Sequence, residues 1–282
     1  GLLFIPIIMK KTLIYHLYIP KEGMGDNPIY KVHYFCLKEH IWLFDRVKFT
    51  IAVDDLNDTS LINDAVDWIF SILEGAENVE IEYRVVKNNI YGDGRTFYEK
   101  IIKNTDDDEL IFYFHSKGVA SFKNANYSKE SIFLWIVLIY YCCLAEYKDV
   151  EKALCHTPKT VYGALLNGSR VRPNDFPFIY SGTGMWLNFN GHKRLKEIGV
   201  LKDLPLYSKY YGENYYGNFL TFENSYGLES TNHTWFDFEE FGPNLLYNGN
   251  SETWWEVIET LNKTDGFWAY AKNIKDKAEI EL

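Results

Sequence analysis

The order of predicted elements along the chain indicates an α/β fold with a mostly parallel sheet covered by helices on both faces. Strand-like and helix-like segments alternate from residue 12 to about residue 166, which is typical of parallel strands joined by crossover helices. Residues 110–114 are continuously apolar, as a buried central strand would be. No Pro-, Ser- or Gly-rich linker divides the 282 residues, so residues 1–282 are predicted to form a single domain.

The first half of the chain supplies three strands and two helices. Residues 12–19 form a strand that stops at Pro20 and a glycine-rich turn, and residues 30–44 have the apolar spacing of a helix. Residues 47–53 form the second strand, and residues 61–73 form an amphipathic helix after a cap-like polar segment. Residues 79–86 alternate as a strand does, then break at Asn88 and Asn89.

The second half begins with a short helix at residues 96–103, after a Gly-Asp-Gly turn, and continues with the central strand at 110–114. A long apolar helix is predicted at 128–153, and strands at 161–166 and 178–187. Residues of about 10–190 would form the core, and about 191–282 a carboxyl-terminal extension rich in aromatic residues.

Composition excludes some functions and favours others. A net charge of −10 and a pI near 5.2 argue against a nucleic-acid partner, which requires clustered Lys and Arg. The aromatic share is 17%, with 22 Tyr and 8 Trp, side chains that form core but also stack on sugar rings. Four cysteines without metal-ligand spacing indicate a reducing compartment, so we expect a cytoplasmic protein.

Two apolar segments have to be weighed as a signal peptide or as a membrane-spanning helix. Residues 2–8 lack a basic n-region and a cleavage site, so they are not predicted to be a signal peptide. The apolar run at 132–145 is shorter than the ~20 residues of a spanning helix. It is interpreted as a buried or interface helix, with a peripheral membrane contact as the alternative.

Polar side chains follow three predicted strands. His16 and Tyr18 lie near the end of the first strand, Asp54 and Asp55 follow the second, and residues 115–118 (His-Ser-Lys-Gly) follow the fourth. Because open α/β sheets bind ligands beyond the carboxyl ends of their strands, these groups are expected to converge on one site. A turn or helix N-cap is the alternative for the two aspartates. Neither G-x-G-x-x-G nor a Walker P-loop is present.

These residues resemble those of nucleotide-sugar glycosyltransferases of the GT-A fold. The chain looks similar to bacterial and viral polysaccharide glycosyltransferases related to rhamnan-synthesis proteins, in which a hydrophobic strand ends in His-Ser/Thr-Lys-Gly. Residues 180–187 (Tyr-Ser-Gly-Thr-Gly-Met-Trp-Leu) and 212–217 (Gly-Glu-Asn-Tyr-Tyr-Gly) match two later segments, and the resemblance covers about residues 12–222.

The resemblance implies a Rossmann-like GT-A sheet and a transferase that moves a hexose or pentose from a nucleotide sugar to a saccharide acceptor in polysaccharide biosynthesis. Residues of about 10–190 would bind the nucleotide sugar, and the extension would form the acceptor side. The Asp-x-Asp metal motif of the fold is replaced by His-Ser-Lys. No cofactor is therefore predicted, and a requirement for Mn²⁺ or Mg²⁺ stays open.

Roles for individual residues follow from this resemblance and from the charge of the donor. Lys117, helped by His115, would stabilise the departing diphosphate, and Glu213 would accept the proton of the attacking hydroxyl. The residues assigned to the donor nucleotide are His16, Tyr18, Asp54, Asp55, Arg95 and Lys117. The residues assigned to the acceptor or sugar are Ser181, Gly182, Thr183, Asp175, Trp186 and Tyr215. A minority reading gives His233 and Asp237 to a metal.

Inversion is preferred because a base candidate exists and no nucleophile is evident. Two alternatives come from other classes: a non-catalytic carbohydrate-binding or assembly protein with a degenerate fold, and a sugar-phosphate nucleotidyltransferase. The second would need a glycine-rich basic loop after the first strand, which residues 20–25 resemble only faintly.

Overall fold

The first four strands pair in parallel, as their alternation with helices predicts. A computed structural model describes residues 9–124, 129–156, 159–164, 166–168, 178–180, 184–220, 225–227 and 266–282. The strands are β1 (Lys11–Ile19), β2 (Arg46–Val53), β3 (Glu80–Lys87), β4 (Leu110–His115), β5 (Val161–Gly163), β6 (Leu166–Gly168), β7 (Phe178–Tyr180), β8 (Met185–Asn188) and β9 (Ser225–Gly227).

Seven strands form one sheet in the order β3-β2-β1-β4-β8-β5-β9, and β6 and β7 form a separate antiparallel pair. The pairs β1/β2, β2/β3, β1/β4 and β5/β9 are parallel, whereas β8 is antiparallel to both of its neighbours. The carboxyl ends of β1, β2, β3 and β4 therefore meet at one edge. The mixed α/β class with a mostly parallel sheet is confirmed.

Helices cover both faces of the sheet. They are α1 (Ile29–His40), α2 (Thr59–Leu73), α3 (Asp93–Phe97), α4 (Lys129–Tyr140), α5 (Tyr147–Cys155), α6 (Phe189–Glu197), α7 (Tyr211–Asn214) and α8 (Phe267–Ala278). Because side chains alternate along a strand, Tyr15 and Phe114 pack on the face covered by α1, α2, α4 and α8. Ile14 and Tyr113 pack on the other face, against Phe97 and the segment around α7.

The prediction of one continuous helix at 128–153 is wrong, because the segment bends. The helix α4 is followed by a π-helical turn, Tyr141–Ala145, and the axis bends by 61° before α5. Residues 131–140 are all buried, so α4 is apolar all round because other elements surround it. Among the described residues no single helix is long and apolar enough to span a membrane; the bent pair passes that test by length and composition only.

The predicted strands after residue 160 also differ in length from those observed. β5 ends at Gly163, two residues after it begins, and the segment predicted at 178–187 contains β7 and β8 as separate strands. Residues 181–183 between them lie outside the described residues.

A buried ionic cluster lies at the opposite edge of the sheet, near the amino-terminal ends of β1 and β2. Asp108 is fully buried and accepts hydrogen bonds from Thr12 (2.8 Å), Lys48 (3.0 Å) and Asn104 (3.1 Å), and it also pairs with Arg46. Burial alone would raise the pKa of Asp108, but these donors lower it to about 2.

The strand β3 ends the sheet among the described residues. It pairs with β2 along its whole length, and its other edge has no partner strand in the described part of the chain. Glu80, Glu82, Tyr83 and Lys87 are exposed along it.

Candidate functional site

The turn after β4 is bonded directly to β1. His115 is level with His16 in the parallel register, and the N–H of Ser116 donates to the carbonyl of His16 (3.0 Å). The hydroxyl of Ser116 accepts from the N–H of Tyr18 (3.0 Å). β1 runs three residues beyond this level, to Ile19. The residues after His115 are therefore held beside the last residues of β1.

The backbone of Lys117 is fixed from behind by a buried imidazole. Nε2 of His33 lies 2.9 Å from the carbonyl oxygen of Lys117, and Nδ1 lies 2.7 Å from the hydroxyl of Tyr140. Because a carbonyl only accepts, Nε2 carries the proton and Nδ1 accepts from Tyr140. Burial lowers the pKa of His33 to about 3, so it stays neutral. Gly118, at φ +86°, packs against Ile132 of α4 with no room for a Cβ.

The side chain of Lys117 turns into a partly buried, charged environment. Its Nζ lies 4.3 Å from the ring centroid of Trp135, a cation–π contact. Burial lowers the pKa of the Lys117 ammonium, whereas Glu213 and Asp93 act to raise it and Lys209 to lower it further. Lys117 and Glu213, predicted from distant parts of the sequence, are therefore electrostatic neighbours.

His115 contacts a carboxylate that the sequence analysis did not assign. Its Nδ1 lies 2.9 Å from Oδ2 of Asp93, and both side chains are largely buried. The hydroxyl of Tyr113 donates to the carbonyl of Asp93 (2.7 Å) and lies 3.3 Å from Oδ2. Burial alone would raise the pKa of Asp93, but His115, His16 and Lys117 lower it below its ordinary value. Asp93 is thus an ionised carboxylate held against β4.

Two glycines place Asp93 at the start of α3. Gly92 has φ +49°, a conformation that disfavours other residues. Gly94 lies so close to the chain before α7 that a Cβ would be 2.6 Å from the carbonyl oxygen of Ser208. The Gly-Asp-Gly turn predicted from the sequence is in fact the junction of α3 with the segment that leads to Glu213.

Substitution Gly94→Ala is expected to push α3 away from residues 208–209. Overpacking of this kind costs about 1–3 kcal/mol, because the opposing atom is rigid backbone. Denaturant unfolding measures the loss. The matched control is Gly191→Ala, a glycine without a positive φ whose Cβ would meet Thr160 at 3.6 Å, an ordinary contact. An equal loss in both variants would mean that the contact at Gly94 is unimportant.

A small surface pocket opens at the carboxyl ends of β1, β2 and β3, beside α3. Its polar lining consists of His16, Arg84, Lys87, Asn88, Asn89, Arg95 and Thr96. The enclosed space is about 10 Å³, roughly that of one water molecule, so a ligand group would bind across this lining rather than inside a cavity.

Two polar contacts organise this pocket. Nδ1 of His16 lies 2.8 Å from the hydroxyl of Thr96, and burial lowers the pKa of His16 to about 4, so it is neutral near pH 7. Arg84 and Arg95 both pair with Glu99. The two guanidinium groups share one carboxylate, which leaves the pocket wall positively charged.

The aspartates after β2 lie at the same edge but do not line the pocket. Asp54 is exposed and makes long contacts of 3.4 Å with the hydroxyl of Tyr18 and the amide of Asn88. Asp55 accepts from the N–H of Asn57 (2.9 Å), which is a turn contact, and α2 is capped by Asp58. Asp55 is therefore a turn residue, which was the alternative prediction for the two aspartates.

Two predicted sugar-binding aromatics belong to the core, so these assignments are wrong. Trp186 is fully buried and donates from Nε1 to the carbonyl of Cys143 (2.7 Å). Tyr215 is fully buried and donates to the carbonyl of Lys202 (2.9 Å). Tyr211 and Tyr216 are buried with it. Their large apolar rings fill the core beneath α7.

The remaining predicted residues cannot be placed. Asp175, Ser181, Gly182, Thr183, His233 and Asp237 lie outside the described residues. Within the described ranges, no group of three or more His, Cys, Asp or Glu side chains is arranged to hold a metal ion. The polar side chains at the end of β4 are the imidazole of His115, in contact with the carboxylate of Asp93, and the ammonium of Lys117.

Comparison with known proteins gives structural similarity only. No protein-family model matches the chain, and no curated protein matches it by sequence. Mouse xyloside xylosyltransferase 1, in its apo form, is 10% identical with a TM-score of 0.37, over 78% of this chain and 86% of that one. Residues 1–349 of S. aureus TarS are 11% identical with a TM-score of 0.32, over 68% of this chain.

The chain spans 50% of that TarS fragment and 33% of a longer TarS structure, to which it is 12% identical with a TM-score of 0.33. Because these identities and TM-scores are low, the similarities do not carry the functional argument.

Proposed function

We propose that this chain is a glycosyltransferase that moves a sugar from a nucleotide-sugar donor to a saccharide acceptor. One observation carries the proposal: His115, in contact with Asp93, and Lys117 lie at the carboxyl end of β4, at the sheet edge that also holds the pocket lined by His16 and Arg95. A cation can stabilise the departing diphosphate, and a neighbouring imidazole or carboxylate can accept the proton of the acceptor hydroxyl.

The donor would extend from the pocket to Lys117. The base or ribose would bind across the pocket lining at the ends of β1 and β3, with Tyr18 and Asp54 at its outer side. The diphosphate would face Lys117, because glycosyl transfer builds negative charge on the β-phosphate as the bond to the sugar breaks. A half-buried ammonium acts through a lower effective dielectric than a surface lysine, and so interacts more strongly with that charge.

Glu213 would lie on the acceptor side. A base must take the proton of the attacking hydroxyl, and Glu213 is the residue to which the sequence analysis gave this role. The proposed transfer inverts the configuration at the anomeric carbon. It would take place in the cytoplasm, during the synthesis of a polysaccharide.

A thermal-shift screen of UDP-, GDP- and TDP-sugars, each with Mn²⁺ and with EDTA, tests this function. We expect one nucleotide family to raise the Tm, equally in EDTA. A ligand at 100 times its Kd adds about 2.7 kcal/mol to the free energy of unfolding, which corresponds to several degrees for a chain of this size. Release of nucleoside diphosphate is then measured with the donor that binds.

The outcomes separate the alternatives. Stabilisation that strictly requires manganese would contradict a metal-free diphosphate site. A sugar-dependent shift without nucleoside diphosphate release, whatever acceptor is added, would favour a non-catalytic binding protein. Pyrophosphate release from a nucleoside triphosphate would favour a nucleotidyltransferase.

A further inference from the structure

The contact between Asp93 and His115 bears on where the imidazole carries its proton. Nδ1 of His115 is buried and lies 2.9 Å from Oδ2 of Asp93, although the two groups are not aligned as a hydrogen bond. An ionised carboxylate can only accept, and a bare ring nitrogen at this distance would be repelled by it. We therefore expect a proton on Nδ1, which leaves Nε2 as the nitrogen that can accept one.

The His115 ring is not completely enclosed. In the described part of the chain, Asp93 is the one side chain that makes a polar contact with His115, and the side chain remains 14% exposed. Lys117 is two residues further along the chain and shares the electrostatic environment of Asp93. For His115 to act as a base, the acceptor hydroxyl at the sugar end of a donor diphosphate on Lys117 would have to reach Nε2.

We propose that His115 is the catalytic base of the reaction and that Asp93 is its positioning residue, an inference that rests on the proposed function. Nε2 takes the proton of the acceptor hydroxyl while that oxygen bonds to the anomeric carbon. The bond from the anomeric carbon to the β-phosphate oxygen breaks, and its electron pair leaves with the diphosphate. The proton on Nδ1 of His115 stays on the ring throughout, next to Asp93, and the carboxylate of Asp93 stabilises the imidazolium that forms.

The side chains around Asp93 and His115 are compatible with a base held by a positioning carboxylate. Asp93 is held rigidly because β4 binds it at two positions on one face, through Tyr113 and through His115. His16 on β1 and His33 on α1 are the neighbouring imidazoles, and burial lowers the pKa of each, to about 4 and about 3. Both stay neutral near pH 7. The hydroxyl of Tyr113 also donates to Oδ2 of Asp93 (3.3 Å), so Tyr113 and His115 share this carboxylate oxygen.

Glu213 has a different electrostatic partner. It is the carboxylate that most strongly favours the charged form of Lys117. A carboxylate that neutralises an ammonium in the resting protein is a weaker proton acceptor than a free one. The base role given to Glu213 by the sequence analysis therefore passes to His115, and Glu213 becomes the counter-ion of Lys117.

The variants Asp93→Asn, His115→Gln and Glu213→Gln separate these roles. We expect Asp93→Asn and His115→Gln to lower kcat by about 10²–10⁴-fold, the usual contribution of general-base catalysis, with the donor KM within about threefold of wild type. Glu213→Gln should lower kcat less than His115→Gln, because a counter-ion takes no proton in the reaction. Asp67→Asn, an exposed aspartate on α2, is the matched control.

A second measurement needs no substrate. Nitrogen-15 NMR of the histidine rings should show the His115 proton on Nδ1 in the wild type, and a shift toward the Nε2–H tautomer in Asp93→Asn. If the wild type turns over and Asp93→Asn turns over equally fast, this inference alone is overturned. A loss of kcat in Glu213→Gln as large as that in His115→Gln would overturn it too. An Nε2–H tautomer in the wild type would also overturn it. Absence of nucleoside diphosphate release by the wild type with every donor would overturn the proposed function and the base role together.

Discussion

Replacing Lys117 by alanine is expected to lower the release of nucleoside diphosphate by about 10²–10³-fold. This is the usual cost of removing one preorganised group that stabilises transition-state charge. The folded protein should change little, because Lys117 is only half-buried and loses one cation–π contact with Trp135. That contact is worth about 1 kcal/mol. Part of this loss is offset, because the variant no longer has to remove water from the Lys117 ammonium. Turnover and denaturant unfolding are measured on the same preparation.

Lys123→Ala is the matched control for this variant. Lys123 lies six residues further along the same segment, is largely exposed, and pairs with the exposed Glu22 at 3.4 Å. Surface pairs of this kind contribute little, so turnover should be unchanged. Equal turnover in Lys117→Ala and wild type would remove Lys117 from the mechanism. Unfolding of Lys117→Ala at the assay temperature would instead assign it a structural role, and Lys117→Met, which keeps the packing, then tests the charge alone.

Replacing Asp108 by asparagine is expected to be the most destabilising of these changes. Asp108 is the buried anion between Arg46 and Lys48, whose side chains are 18% and 4% exposed. Removing one partner of a buried ionic cluster leaves the others without compensation, at a cost of about 3–5 kcal/mol. Denaturant unfolding measures this loss. Since the cluster lies at the amino-terminal edge of the sheet, nucleotide binding at the opposite edge should survive in the folded fraction.

Asp108 also gives stability a defined pH dependence. The folded state lowers the pKa of this carboxyl from 3.8 to about 2. Its contribution of about 2 kcal/mol is therefore fully present above about pH 4 and is lost as the pH falls through 2. Asp107→Asn is the control, because its side chain is fully exposed beside Lys193. If both variants lose the same stability, the buried cluster is not the cause.

The parallel half of the fold could be predicted because its signals are local. Each of β1–β4 is a run of apolar or alternating residues that ends at a polar turn, and the observed bounds differ from the predicted ones by one residue. The bend between α4 and α5 could not be predicted, because an apolar run such as 132–145 fits a straight helix equally well. The bend depends on which surfaces surround the run, and only the tertiary structure supplies these.

The candidate site divides in the same way. His115 and Lys117 could be predicted because they follow directly on a buried strand. Asp93 was missed because its neighbours, Gly92 and Gly94, make it resemble an ordinary turn, and its partner lies 22 residues away. Trp186 and Tyr215 were misassigned for the opposite reason, since a sequence does not distinguish an aromatic ring in the core from one that stacks on a sugar.

The edge of β3 that no described strand pairs has a consequence for behaviour in concentrated solution. When the amides and carbonyls along the edge of an eight-residue strand have no partner strand, they are a template for association with a second chain. Here Glu80, Glu82 and Lys87 stand exposed along it, and bringing another strand alongside would strip water from these charges. The strand thus carries its own protection against fibril-like aggregation, and neutral substitutions at these three positions would remove it.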